Sequence, residues 1–131
     1  MIKDFDLWND KKKALESLGP ASLDFHEREV WWCSMGLNLG DEEDGKNELF
    51  ERPVIIIKKF NHKVAWIVPM TSKQKFGPYY AIIEHEGILF SAILSQMKLM
   101  SIKRFRRFVR KVSRQEWLDI KLKLINLLSG G

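Results

Sequence analysis

Five short segments near the middle of the chain constrain its fold more than anything else in it. "REVWWCSM" (28–35), "RPVIIIKK" (52–59), "VAWIVPM" (64–70), "YYAIIEH" (79–85) and "ILFSAIL" (88–94) are rich in β-branched and aromatic residues and are bounded by Gly, Pro or Asn. Each is predicted to be a strand, and strands this short are stable only when several pair into one sheet. "FNHK" (60–63) and "EHEG" (84–87) are short enough to close hairpins, so the sheet is expected to be antiparallel. "GLNLGDEEDGKNELFE" (36–51) is too long and polar for a tight turn, and loops of that length are often functional.

Helical spacing flanks this block. "KDFDLWNDKKKALESLGP" places Phe5, Trp8, Leu15 and Leu18 near a helical period and stops at Gly19-Pro20. Beyond Leu94, the stripe Ile102, Phe105, Val109 and Val112 predicts a short basic helix. A final helix is expected from a capping box, with Ser113 as N-cap and Glu116 three residues on, burying Trp117, Ile120, Leu124 and Leu128. The expected architecture is mainly β with helices: a small, strongly bent sheet or partial barrel of five or more antiparallel strands, with an N-terminal helix, a short basic helix and a C-terminal helix. A chain of 131 residues that is 45% hydrophobic suits a single globular domain.

Charge is unevenly divided. Residues 1–50 hold 6 Lys/Arg against 12 Asp/Glu, while residues 51–131 hold 16 against 5, so halves of −6 and +11 lie behind the net +5. "KLMSIKRFRRFVRKVSR" (98–114) carries eight cations and no acid. Such a run suits nucleic acid or an acidic protein segment, or is simply a solvated face. Cys33 is the only cysteine, which excludes an intrachain disulfide and fits a reducing cytoplasm. No apolar run reaches the roughly 18–20 residues of a membrane span, and "KDFDLWND" stands where a signal peptide needs an apolar core. The expectation is a cytoplasmic protein with no membrane partner.

Most catalytic signatures are missing. The chain has no HExxH, paired CxxC, GxSxG or GxxxxGK[ST], which removes the main support for zinc hydrolysis, α/β-hydrolase chemistry and P-loop nucleotide use, and no metal or other cofactor is expected. "EHE" (84–86) reads as a hairpin tip, because alternation along a strand turns His85 away from both glutamates. His26 and His62 read as surface residues. Trp31 and Trp32 face opposite sides of their strand, so at least one belongs to the core. A different constellation is more informative. Arg52 opens one strand and Thr71-Ser72-Lys73 closes the next, so a hairpin turning near residues 60–63 sets Arg52 almost opposite Thr71 at one rim of the sheet. The acidic loop from Gly40-Asp41-Glu42 enters the same rim. Arginine brings a permanent charge and a planar fork of donors. With hydroxyls, a lysine and a carboxylate beside it, the group could grip a phosphodiester, stabilise its transition-state charge and move a proton. The competing reading is an ion pair from Arg52 to Glu42 or Glu43 that pins the loop.

The series "EVWWCSMGLNLGDEEDG", "RPVIII", "VPMTSK" and "ILSQMKLMSIKRF" resembles the MazF/PemK-like (Kid-like) toxins of bacterial type II toxin–antitoxin systems over about residues 28–128. The resemblance divides the chain into a helical extension (1–27) and a toxin domain (28–131). It implies a homodimeric SH3-like barrel, a cognate antitoxin, and metal-independent cleavage of single-stranded RNA, in which a 2′-hydroxyl attacks phosphorus and leaves a 2′,3′-cyclic phosphate. By position, it makes Arg52 and Thr71 catalytic and Glu42 the loop carboxylate, and it points to RNA contacts from Ser72, Lys73, Gln96 and Lys98. Arg106 and Arg107 of the basic run are expected to guide RNA. The long loop before Arg52, Lys98 in place of the usual arginine, and Met100-Ser101 where an acid often follows depart from the pattern and leave cleavage specificity open. Two rival functions remain: a CcdB-type gyrase poison sharing the barrel, and a noncatalytic nucleic-acid- or peptide-binding module.

Overall fold

The computed structural model describes residues 24–35 and 51–130. These form seven strands, β1 (Glu29–Ser34), β2 (Glu51–Lys59), β3 (Val64–Thr71), β4 (Tyr80–His85), β5 (Ile88–Ile93), β6 (Lys98–Ser101) and β7 (Phe105–Lys111), followed by helix α1 (Arg114–Ser129). Short 3₁₀ turns occupy Leu94–Gln96 and Ile102–Arg104. All five expected strands are present. The expected N-terminal helix lies outside the described residues.

Every pairing is antiparallel, in the order β4-β5-β3-β2-β1-β7. One edge of β3 serves two partners: Met70 and Thr71 pair with β5, and Val64–Ile67 pair with β6. Sharing one edge between two strands bends the sheet into a curled half-barrel. Both faces are covered. Trp31, Cys33, Val54, Ile56, Ile67 and Phe105 fill one core, while Val30, Ile55, Val68, Ile83, Ala92 and Ile120 fill the other. This explains the unbroken apolar run in β2: alternate residues of Val54–Ile56 enter opposite cores, so none can be polar.

The two hairpins close as expected, by different chemistry. Asn61 Oδ1 accepts hydrogen bonds from the amides of Lys63 (2.7 Å) and Val64 (3.1 Å), making a side-chain-stabilised turn between β2 and β3. His85 pairs with Ile88 across a two-residue turn in which Glu86 (φ 51°) and Gly87 (φ 79°) are both left-handed, the geometry that matches strand twist.

The basic segment is not a helix. Residues 98–111 form β6, a 3₁₀ turn and β7, and β7 pairs with β1 through Cys33–Phe105, Trp32–Arg107, Trp31–Phe108 and Val30–Arg110. The register shifts twice, each time inserting one extra residue, Arg106 and then Val109. Phe105 enters the first core while Val109 and Val112 pack on the second, so apolar residues from opposite faces of the strand fall at a helical spacing, and Phe108 is exposed. The C-terminal helix does form. Its capping box is complete: Ser113 Oγ accepts from the Glu116 amide and Glu116 accepts from the Ser113 amide. Arg110 makes a bidentate pair with the Glu116 carboxylate, at 3.1 Å for each nitrogen, and also donates to the Glu84 carbonyl. Trp117, Ile120, Leu124 and Leu127 pack into the second core, while Leu128 is exposed.

Candidate active site

One row of residues crosses four adjacent strands. Cys33 on β1 pairs with Arg52 on β2. The Val54–Pro69 register carried two residues further sets Arg52 opposite Thr71, and Thr71 pairs with Ser91 on β5. Cross-strand partners share a face, so all four side chains project to the same side, at a spacing of about 4.8 Å per strand. The hairpin arithmetic thus brings Arg52 and Thr71 together as expected. Their setting differs, because both are only 1% exposed instead of lying on an open rim. The strands flanking them pair on both sides, so the row sits within the sheet.

Arg52 Nη2 donates to the Met70 carbonyl at 2.7 Å, which ties the guanidinium to the peptide immediately before Thr71. Thr71 Oγ1 accepts from the Lys73 amide at 3.2 Å, folding the chain back at the end of β3 and leaving Ser72 and Lys73 exposed. Cys33 is no nucleophile. Burial pushes its thiol well above the ordinary value, the Glu51 carboxylate adds to that, and Arg104 and Arg106 oppose it without cancelling it.

The remaining expected site residues are more scattered. Gln96 lies in the 3₁₀ turn after β5, and Lys98 begins β6 opposite Ile67. Lys98 therefore shares the face of Thr71 but sits four residues away along β3, about 13 Å at strand rise. Glu42 and Glu43, and with them the expected loop carboxylate and the ion-pair alternative for Arg52, lie outside the described residues.

Arg106 and Arg107 sit on β7 instead of a helix, and they lie close to the site. Arg107 Nη1 is 3.3 Å from Oε1 of Glu51, a buried carboxylate directly before Arg52, and its guanidinium lies 5.0 Å from the Trp32 ring centroid. Arg106 is the residue extruded by the first bulge, half-buried and near enough to Cys33 to act on its thiol. Two participants escaped the sequence reading. Glu51, the acid in "FERP", meets the basic run only through the fold, because that run lies some fifty residues further along the chain, and Ser91, in "FSAIL", gives no local signal either. Its Oγ accepts from the Lys75 amide at 3.1 Å and donates to the Lys75 carbonyl at 3.2 Å.

The sequence from residue 26 to 128 matches the family model described as PemK-like, MazF-like toxin of type II toxin-antitoxin system. The chain belongs to this family. No curated protein sequence matches it significantly. Among solved structures, MazF from Deinococcus radiodurans is similar with a TM-score of 0.65 at 15% identity, over 81% of this chain and 99% of that one. A mycobacterial endoribonuclease in complex with its cognate antitoxin is similar with a TM-score of 0.62 at 12% identity, over 81% and 96%. The Mycobacterium tuberculosis toxin MazF-mt6 aligns with a TM-score of 0.60 at 9% identity, over 78% and 97%. Identities this low carry the fold alone, so the PemK-like, MazF-like assignment rests on the family model and the half-barrel agrees with it. No helix among the described residues is long and apolar enough to cross a membrane.

Proposed function

We propose that this PemK-like, MazF-like toxin is an endoribonuclease acting in the cytoplasm, cutting single-stranded RNA by attack of a 2′-hydroxyl on the adjoining phosphorus to leave a 2′,3′-cyclic phosphate and a 5′-hydroxyl. The observation that carries this reading is the facing pair Arg52 and Thr71, with the guanidinium anchored beside the threonine. In this reading Arg52 clamps the extra negative charge of the phosphorane, and Thr71 and Ser72 give hydroxyl donors to its oxygens. Glu42 is the proposed base. Lys73, Gln96 and Lys98 contact the strand on either side, and Arg106 and Arg107 steer it. Because Arg52 and Thr71 are buried in the free protein, bound phosphate must exchange with protein contacts, in surroundings where each donor counts for more than in water.

Relatives solved as complexes with antitoxins, from Deinococcus radiodurans and a mycobacterial species, support a cognate antitoxin for this chain as well. We place a homodimer interface on its exposed apolar surface. Trp31 is committed to the chain's own core, but Trp66, Phe60 and Leu99 are 41%, 48% and 59% exposed, and Phe60 and Trp66 meet edge to face at 4.9 Å. The family match does not favour a gyrase poison.

The test is incubation of purified protein with single-stranded RNA and identification of the product termini. Arg52→Lys keeps the charge and most of the volume but loses the fork, and Thr71→Val removes only the hydroxyl. Each is expected to lower kcat by about 10²–10³-fold, as loss of an oxyanion donor does, with circular dichroism unchanged. RNA left intact by the wild type, or cut at undiminished rate by both variants, overturns the assignment.

A further inference from the structure

The end of β3 is held by two hydroxyls. Thr71 Oγ1 takes the Lys73 amide, and Ser91, its cross-strand partner, takes the main chain of Lys75 from both sides, amide and carbonyl together. Ser91 is 1% exposed in a strand whose neighbours Ala92 and Ile93 are apolar, so a hydroxyl there costs desolvation unless it is bonded. Both its donor and an acceptor site are used on one residue of a different segment, so the bonds act as a clamp and not as surface solvation. The clamp closes residues 71–75 into a small arch standing on β5, with Ser72 and Lys73 at its top.

We infer that Ser91 is a positioning residue for the Thr71 hydroxyl. The inference rests on the reading of Arg52 and Thr71 proposed above. The physical chain is short. A hydroxyl that accepts from a fixed amide has its own proton directed elsewhere. The Lys73 amide is fixed only if the arch is, and Ser91 grips the far foot of the arch. Without the clamp, the Lys73–Lys75 peptides gain freedom, the amide leaves Thr71 Oγ1 for part of the time, and the hydroxyl presents its proton over a range of directions. Misplacement of a reacting group by around 1 Å costs on the order of a hundredfold in rate. Ser72 and Lys73 stay exposed whether or not the arch is clamped, so RNA binding should be little affected.

Ser91→Ala should therefore lower kcat about ten- to a hundredfold while KM changes less than about threefold, and Ser91→Thr should restore most of the loss. Amide exchange gives a readout independent of activity: Lys73 and Lys75 should exchange faster in Ser91→Ala, with Val68 and Ile83 unchanged. A double-mutant cycle separates positioning from general weakening, because in a Thr71→Val background Ser91→Ala should cost much less activity than in the wild type, only what loosening Ser72 on the same arch removes. If the alanine variant does not fold, the same comparisons are made in Ser91→Cys, which keeps the size and weakens both bonds. RNA left intact by the wild type overturns the reading of the site, and this inference with it. An active wild type overturns the inference alone if Ser91→Ala keeps its kcat, if the losses from Ser91→Ala and Thr71→Val simply add, or if Lys73 exchange is unchanged.

Discussion

The start of α1 hangs on one carboxylate, and its removal should be visible as a pH-dependent loss of stability. Glu116 accepts from Arg110 twice, from the Ser113 amide at 2.8 Å and from the Glu84 amide at 3.3 Å, so it joins α1 to β7 and β4 at once. Burial alone would push its carboxyl up. The hydrogen bonds from Arg110, Ser113 and Glu84, together with the Arg110 charge, outweigh that and hold it below the usual range. Glu116→Gln keeps the shape and an acceptor for Ser113 but gives up the charge-assisted pair, costing about 1 kcal/mol; Glu116→Ala also loses the box, for about 2 kcal/mol in all. At roughly 3–5 °C per kcal/mol for a domain of this size, the alanine variant should melt about 8 °C lower. Because the folded pKa is depressed, the charge contributes fully above the unfolded value of about 4.3 and is lost as pH falls through the lower folded value. Urea unfolding at fixed protein concentration should show the glutamine variant weaker at pH 7 and the gap closing on acidification below pH 4. A gap that is constant with pH, or absent at pH 7, would refute the assignment of stability to this carboxylate.

RNA cleavage should persist in EDTA with cyclic-phosphate products; activity abolished by chelation and restored by Mg²⁺ would move charge stabilisation from Arg52 to a metal. Arg106→Gln with Arg107→Gln should flatten the log–log salt dependence of RNA binding by roughly one to two units. The Arg107 change should in addition lower cleavage at saturating RNA, since its carboxylate partner Glu51 adjoins Arg52; an unchanged salt slope would make this strand a structural edge. Trp66→Glu with Leu99→Glu should halve the mass seen by sedimentation at micromolar concentration, and a mass that does not change would place the dimer interface elsewhere, for instance on the second apolar stripe of α1 at Leu118, Leu122 and Ile125.

What could be read from residues alone was whatever depends on neighbours in sequence. Strands β1 to β5 declared themselves because β-branched and aromatic residues crowd between turn formers, and the Arg52–Thr71 pairing followed from counting back along one hairpin. Strand β7 did not, because Phe105 on one core and Val109 and Val112 on the other fall at a helical spacing, and only pairing with β1 reveals the strand. The burial of Arg52 was hidden for a similar reason: an arginine before a proline looks like a strand mouth until a strand is known to lie on each side. Ser91 is the extreme case, since its role exists only once β5 lies beside the end of β3.

The continuous apolar run of β2 has a consequence for how the site can fail. A strand that alternates polar and apolar residues resists slipping by one position, because a slip would expose its core face. Val54, Ile55, Ile56 and the partly buried Ile57 give no such resistance: moved by one residue, they would still fill both cores. Alignment must then be enforced by features other than the apolar pattern: the register shift at Ile57, the Asn61 turn at one end and the Arg52 grip on Met70 at the other. Adding or deleting a residue between 60 and 63 should yield a molecule that keeps its sheet and much of its cohesion while turning Arg52 away from Thr71: a well-folded, inert protein, still able to occupy whatever normally binds the active one.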